Sequence, residues 1–163
     1  MSSIKTLTEG KDGEESIIGK VFGDLFETRG GIILEKLMIS VEKDMNNNGA
    51  VELHLVVVYD KELMVELLRM PAHEYFHRVD QLIKDYPDKM KIFKWELVAN
   101  ERLYPWANIK YPGDNMTPLA GFIYAKYSSL GEHRIRVPPS KKKIKLIMGK
   151  NDVKLDQKML LHE

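Results

Sequence analysis

The stretch VELHLVVVYDKELMVELLRMPAHEYFHRVDQLIKDYPDKMKIFKWELV, residues 51–98, decides the fold, because its hydrophobic period changes twice. Val51, Leu53, Leu55, Val57 and Tyr59 recur at every second position, the spacing of a strand with one apolar face. From residue 61 the apolar positions spread to threes and fours, and Pro71 divides that run into a helix over 61–70 and a second over 72–84. Pro71 suits a first helical turn, where its missing N–H is not needed. In the second helix Ala72, Phe76, Val79 and Ile83 make the inward stripe, with His73, His77, Asp80 and Lys84 one position round. Period two returns in Phe93-Lys94-Trp95-Glu96-Leu97, which turns Phe93, Trp95 and Leu97 inward and Lys94 and Glu96 outward.

Upstream, Ile33, Leu37, Ile39 and Val41 alternate with polar residues and predict a half-buried strand. Asp44-Met45-Asn46-Asn47-Asn48-Gly49 then reads as a loop, since Asn and Gly tolerate positive φ. Before these, Ile17, Ile18, Val21, Phe22, Leu25 and Phe26 predict an amphipathic helix over 14–28, preceded by a loose polar tail over 1–13. Downstream the chain is β-like over 107–111, 119–127, 133–137, 143–148 and 153–155, with Pro105, Pro112-Gly113, Pro118 and Pro138-Pro139 expected to stop pairing. The expectation is one mainly β domain over 14–163: a two-sheet sandwich of about eight strands, with an N-terminal helix and a helical excursion between strands two and three.

Composition fits that reading. A chain of 163 residues with 44% apolar and 30% charged residues is globular, and a net charge of +1 gives no field that favours nucleic acid or a membrane surface. Without cysteine there is no disulfide, thiolate ligand or thiol nucleophile. No run of roughly 18 apolar residues suggests a membrane span, and Met1-Ser2-Ser3-Ile4-Lys5 does not read as a signal peptide.

One catalytic motif stands out. His73-Glu74-Tyr75-Phe76-His77 is an H-E-x-x-H, in which two histidines on one helical face bind zinc and Glu74 serves as base on the metal-bound water. Glu96 lies at a separation where some such enzymes place the third ligand. A small zinc-dependent hydrolase built on His73, His77 and Glu96 is therefore the alternative function. Against it, Glu96 belongs to a strand rather than a helix, and the histidines flank the inward stripe instead of lying in it. The preferred reading is a solvated helix face, with no catalytic residue, no metal and no cofactor.

Other groups have structural explanations. Lys141, Lys142, Lys143 and Lys145 look like the solvated start of an edge-like strand. Arg134 and Arg136 share one strand face and suit cross-strand pairing with carboxylates. Tyr104, Trp106 and Tyr111 form an aromatic corner that a β-sandwich binding module would use as a platform. There is neither a Gly-rich phosphate loop nor a nucleophile elbow.

The order of elements resembles the TssJ-type lipoproteins of type VI secretion systems. The resemblance covers residues 32–155 and rests on several segments in order: a strand, the Asn/Gly loop Asp44 to Gly49, the run Val56-Val57-Val58-Tyr59-Asp60-Lys61-Glu62-Leu63, a helical excursion carrying Ala72 and Tyr75-Phe76, and Trp95-Glu96-Leu97-Val98. It continues in Leu119-Ala120-Gly121-Phe122-Ile123-Tyr124-Ala125-Lys126-Tyr127 and Glu132-His133-Arg134-Ile135-Arg136-Val137. What the resemblance implies is a transthyretin-like sandwich without enzymatic activity, an interaction subunit that binds the periplasmic domain of the large inner-membrane component TssM. Its partner-contacting loop would be Met45, Asn46, Asn47, Asn48 and Gly49, with Met45 as the apolar anchor. It also implies a periplasmic location, at the outer membrane where a lipidated leader is attached and otherwise cytoplasmic; the cysteine such an anchor needs is not in this sequence.

Overall fold

The computed structural model describes residues 31–111 and 117–158. The expected helix over 14–28, the tail over 1–13 and the Pro112-Gly113 break lie outside the described residues.

The described chain runs β1 (Lys36–Val41), a short 3-10 turn (Met45–Asn48), β2 (Val51–Val58), α1 (Lys61–Leu68), α2 (Ala72–Asp85), β3 (Met90–Leu97), β4 (Arg102–Asn108), β5 (Ala120–Ala125), β6 (Arg134–Arg136), β7 (Lys143–Met148) and β8 (Val153–Leu155). The strands make two four-stranded sheets, β4-β1-β7-β8 and β3-β2-β5-β6. Pairing is antiparallel except for β1 with β7, which run parallel with Lys36 opposite Lys143 and Val41 opposite Met148. This is the expected sandwich, and the helices fall between strands two and three as expected.

The period-two residues of both sheets meet in one core. Leu37, Ile39 and Val41 of β1 and Ile144, Leu146 and Met148 of β7 face Val51, Leu53, Leu55 and Val57 of β2 and Ile123 and Ala125 of β5, all essentially inaccessible. The second sheet is also covered outside. Val56 and Val58 of β2 and Ala120, Phe122 and Tyr124 of β5 pack beneath Leu63, Met64 and Leu67 of α1 and Ala72, Tyr75 and Leu82 of α2. Burial on both faces explains why β2 and β5 are continuously apolar, Leu55 to Val58 and Ala120 to Ala125, instead of alternating.

Local chemistry fixes the helical excursion. Asp60 caps α1 by accepting the Leu63 amide at 2.9 Å. At the other end, the Tyr124 hydroxyl donates to the carbonyls of Leu67 at 3.0 Å and Met70 at 3.1 Å, and Arg134 donates to the same pair at 2.8 and 3.0 Å. The sheet thereby satisfies carbonyls that a helix end leaves without partners. The start of α2 is tied by its Ala72 amide to the Glu132 carbonyl at 2.8 Å.

Several expectations need correction. The inward side of α2 is Ala72, Tyr75 and Leu82 with Phe76, Val79 and Tyr86 beside them, whereas Ile83 is exposed, because the helix is rotated to seat Tyr75 on the sheet. Trp95 and Phe93 do face the core, but β3 is an edge strand and both are only partly buried. Pro105 lies within β4 instead of ending it. β4 is an edge strand, and Leu37 pairs with Ala107 while Ile39 pairs with Tyr104, a bulge that absorbs the proline. β7 as a whole is not an edge strand, since it lies between β1 and β8 and Lys145 pairs with Asp156 at 3.6 Å, although β8 pairs only with Leu146 to Met148 and leaves Lys143 at the start beyond that pairing.

Candidate functional site

The loops at one end of the sandwich are joined into a single surface. Between β1 and β2, Asn46, Asn47 and Asn48 have φ of 51°, 50° and 69°, the left-handed region that asparagine enters more easily than most residues. The Asn46 side chain donates to the Ala50 carbonyl at 3.2 Å and accepts the Ser128 amide at 2.9 Å, while its own amide donates to the Lys150 carbonyl at 2.9 Å. This residue therefore ties the β1–β2 loop to the β5–β6 loop and to the β7–β8 turn. Two further ties close the ring: the Ser129 hydroxyl donates to the Asn151 carbonyl at 2.9 Å, and Tyr127 donates to the Gly149 carbonyl at 2.8 Å. His133, buried and stacked on Tyr127, bridges Asp152 at 2.8 Å and the Ser129 carbonyl at 2.7 Å.

Within this surface the expected contact loop divides. Met45 is at 0% exposure and plugs the intersheet core, and Asn46 is buried at 8%, so neither presents a side chain outward. Met45 as an exposed apolar anchor is thus corrected: an apolar side chain at the end of a sandwich fills the core before it faces water. Asn47 and Asn48 are exposed at the loop tip, with Gly49 partly covered beside them.

The zinc ligand set is not brought together. His73 and His77 are exposed on α2, and Glu74, the base of that alternative, is paired with Arg78 at 3.0 Å, which also holds Glu66 at 3.2 Å. Glu96 lies on β3 opposite Glu52 and lines a different depression, with Ala50, Glu52, Lys94, Trp95 and Lys126. Among the described residues no group of three His, Asp or Glu side chains is placed to hold a metal ion.

The aromatic corner is likewise divided. Tyr104 and Tyr111 pack on the intersheet core, Tyr111 donating to the Leu34 carbonyl, whereas Trp106 lies beneath Lys143, 6.0 Å from ammonium to ring. Arg134 grips helix carbonyls rather than a cross-strand carboxylate, because the end of α1 comes to rest on β6. Among the described residues its carboxylate contact is Glu132 at 3.4 Å, two positions before it.

One buried polar chain escaped sequence reading. His54, on the helix-covered face of β2, lies 2.8 Å from Tyr75 through Nδ1 and 2.8 Å from Glu52 through Nε2. With Nε2–H donating to the carboxylate and the phenol donating to Nδ1, a neutral ring satisfies both partners. Burial, the largest influence, lowers the His54 pKa from its ordinary 6.5, opposed by the hydrogen bond and charge of Glu52. The carboxylate–imidazole–hydroxyl order resembles nucleophile activation. Yet Tyr75 is fully buried and stacked 4.1 Å from Tyr124, its pKa raised chiefly by burial, so this hydroxyl meets no substrate and the chain is a structural tie.

Also missed was Leu130, the large apolar side chain with 101% exposure at the tip of the β5–β6 loop. The available signal was its setting in Ser128-Ser129-Leu130-Gly131, a polar turn with nothing alongside to cover a leucine.

A two-sheet sandwich with helices over one sheet and a cross-tied loop end defines a class of small β proteins that present loops. Solved structures sharply narrow the class. The chain resembles Serratia marcescens Lip, a membrane-bound component of the type VI secretion system, with a TM-score of 0.50 and 6% identity over 74% of this chain and 94% of that one. It resembles the type VI lipoprotein TssJ1 of Pseudomonas aeruginosa at 0.51 and 12% identity, over 74% and 92% of the two chains. A chain of a type VI membrane complex gives 0.51 and 11% identity, over 76% and 98%. The fold is therefore that of the TssJ-type lipoproteins. No protein-family model matches the sequence, and no curated protein matches it either.

Proposed function

We propose that this protein is a non-enzymatic interaction subunit of a bacterial type VI secretion envelope complex, working in the periplasm and binding the periplasmic domain of a larger, membrane-anchored TssM-like component. What supports the reading is coverage: this chain spans 92% or more of each of three solved secretion-system chains, so the likeness extends across their whole sandwich. No described helix is long and apolar enough to cross a membrane, and in this reading outer-membrane attachment comes from a lipidated leader. The contact is assigned to the β1–β2 loop, narrowed to Asn47, Asn48 and Gly49, because Met45 and Asn46 are occupied in holding the loop. Left-handed asparagines with outward side chains supply hydrogen bonds from a backbone already in shape, which lowers the ordering cost of binding.

The test is co-purification with the periplasmic domain of the TssM-like component from the same genome. Asn47→Gly combined with Asn48→Gly removes both side chains while keeping the left-handed backbone accessible. We expect the double variant to lose less than ~1 kcal/mol per site in stability and to bind the partner about tenfold more weakly. Absence of a complex with the wild-type chain would sink the assignment; undiminished binding by the variant would move the contact off this loop.

A further inference from the structure

Leu130 is exposed on a loop that is held in place. The Ser128 amide is bound to Asn46, the Ser129 hydroxyl to Asn151 and the Ser129 carbonyl to His133, so the leucine at the tip is presented rather than swung freely. A fixed, uncovered apolar side chain is the form a preorganised contact takes.

Beside it lies a cleft of about 590 Å³ between the first turns of α2 and the end of β5. That is within the size range of sites that take a small ligand or a few side chains. Phe76, Tyr127 and Leu130 give it apolar walls, and Lys126, His73 and His77 supply polar groups at the rim. No Asp or Glu lines the cleft among the described residues. Of the carboxylates around it, Glu74 pairs with Arg78 and Glu132 with Arg134, Asp152 is hydrogen-bonded to His133, and Glu52, which with Glu96 lines a neighbouring depression that also includes Lys126, is hydrogen-bonded to His54. Lys126 takes no part in the ion pairs among the described residues, and its ammonium stands 5.8 Å above the Phe76 ring. A cation over an apolar wall, in a cleft whose described lining carries no acid, complements a carboxylate next to an apolar group.

We propose that this cleft docks an acidic peptide segment of a partner protein, with a carboxylate against Lys126 between His73 and His77 and the neighbouring apolar side chain between Phe76 and Leu130. His133 shapes the wall through its bonds to Asp152 and Ser129 and is not a contact. The site is separate from Asn47 and Asn48, and the proposal stands on this geometry, independently of the secretion-complex reading.

The experiment is a backbone and histidine-ring NMR titration of the full chain with acetyl-Asp-Phe-Gly-amide and with its counterpart acetyl-Asn-Phe-Gly-amide. We expect saturable shifts at His73, His77, Lys126, Ser129, Leu130 and Gly131 with an affinity on the order of 1 mM. The uncharged peptide should bind about threefold more weakly, as an exposed charge pair allows. Lys126→Glu should abolish the preference for the acid, and Leu130→Ser should weaken both peptides alike. Both positions are exposed, and unchanged resonances away from the cleft will show that the variants fold. Absence of saturable shifts, equal affinity for the two peptides, or an undiminished preference in Lys126→Glu would overturn the proposal. Peptide binding alongside failed co-purification with the TssM-like domain would remove the secretion assignment and leave the cleft; the converse would remove the cleft alone.

Discussion

His54 stands between a carboxylate and a phenol on a face of β2 that α2 covers, and its neutral ring suits both partners. Because burial lowers its pKa in the folded protein, the unfolded chain binds more protons below the ordinary value of 6.5. Protonation then favours unfolding, so the contribution of His54 is fully present above that value and declines as pH falls toward the folded pKa. Lys94 and Lys126 add to the lowering, and Glu52 opposes it. The expected outcome is a melting temperature that falls more steeply between about pH 7 and pH 5 in the wild type than in His54→Gln, measured by thermal unfolding across that range. Parallel curves for the two proteins would mean that His54 is not held neutral. The H-E-x-x-H gives a lesson of the same scale: two histidines at helical spacing are legible in sequence, but their company is set by how the helix is turned. Here α2 is rotated to seat Tyr75 on Tyr124 at 4.1 Å, which leaves His73 and His77 outside and Glu96 on a different surface.

The strands were readable wherever one face meets the core, since Leu37, Ile39 and Val41, or Val51, Leu53, Leu55 and Val57, reveal the period directly. Sequence reading failed where a second element changes the environment. Pro105 looked like a stop, and only pairing with β1 shows that an edge bulge accepts it. Likewise β7 looked like an edge because its lysines alternate outward, while its parallel partner β1 is far away in sequence and cannot be inferred from the strand itself. The role of Arg134 was hidden for the same reason: its acceptors, Leu67 and Met70, are 67 and 64 positions away. Those two carbonyls receive donors from both Arg134 and Tyr124, so either donor covers for the other. A double-mutant cycle with Tyr124→Phe and Arg134→Met, followed by urea unfolding, should therefore show single costs of about 1 kcal/mol each and a double cost exceeding their sum, because only then do the carbonyls lose every donor. Strict additivity would show that water or backbone replaces the lost bonds and that the helix end is not clamped by the sheet.

At the scale of the molecule, the two sheets and the helical layer form a scaffold with one end closed by mutual ties, and Asn46 is the residue on which those ties converge. Its side chain reaches Ser128, 82 positions away, and its amide reaches Lys150, so it joins three loops that are remote in sequence. If the loop end moves as one body, loosening Asn46 must be felt at Ser128 and Leu130 as well as in its own loop. Asn46→Gly tests this cleanly: glycine keeps the φ of 51° accessible and deletes only the side-chain bonds. We expect a loss of about 1–3 kcal/mol, the cost of leaving the Ser128 amide without its acceptor. Hydrogen exchange at Ser128 should accelerate beyond what the global loss explains, with the central strands β2 and β5 still protected to the limit set by global stability. Exchange at Ser128 that follows only the global change would separate the loops into independent units. Accelerated exchange would instead mean that the exposed asparagines and the Leu130 cleft share one support, so that a partner ordering either surface would steady the other.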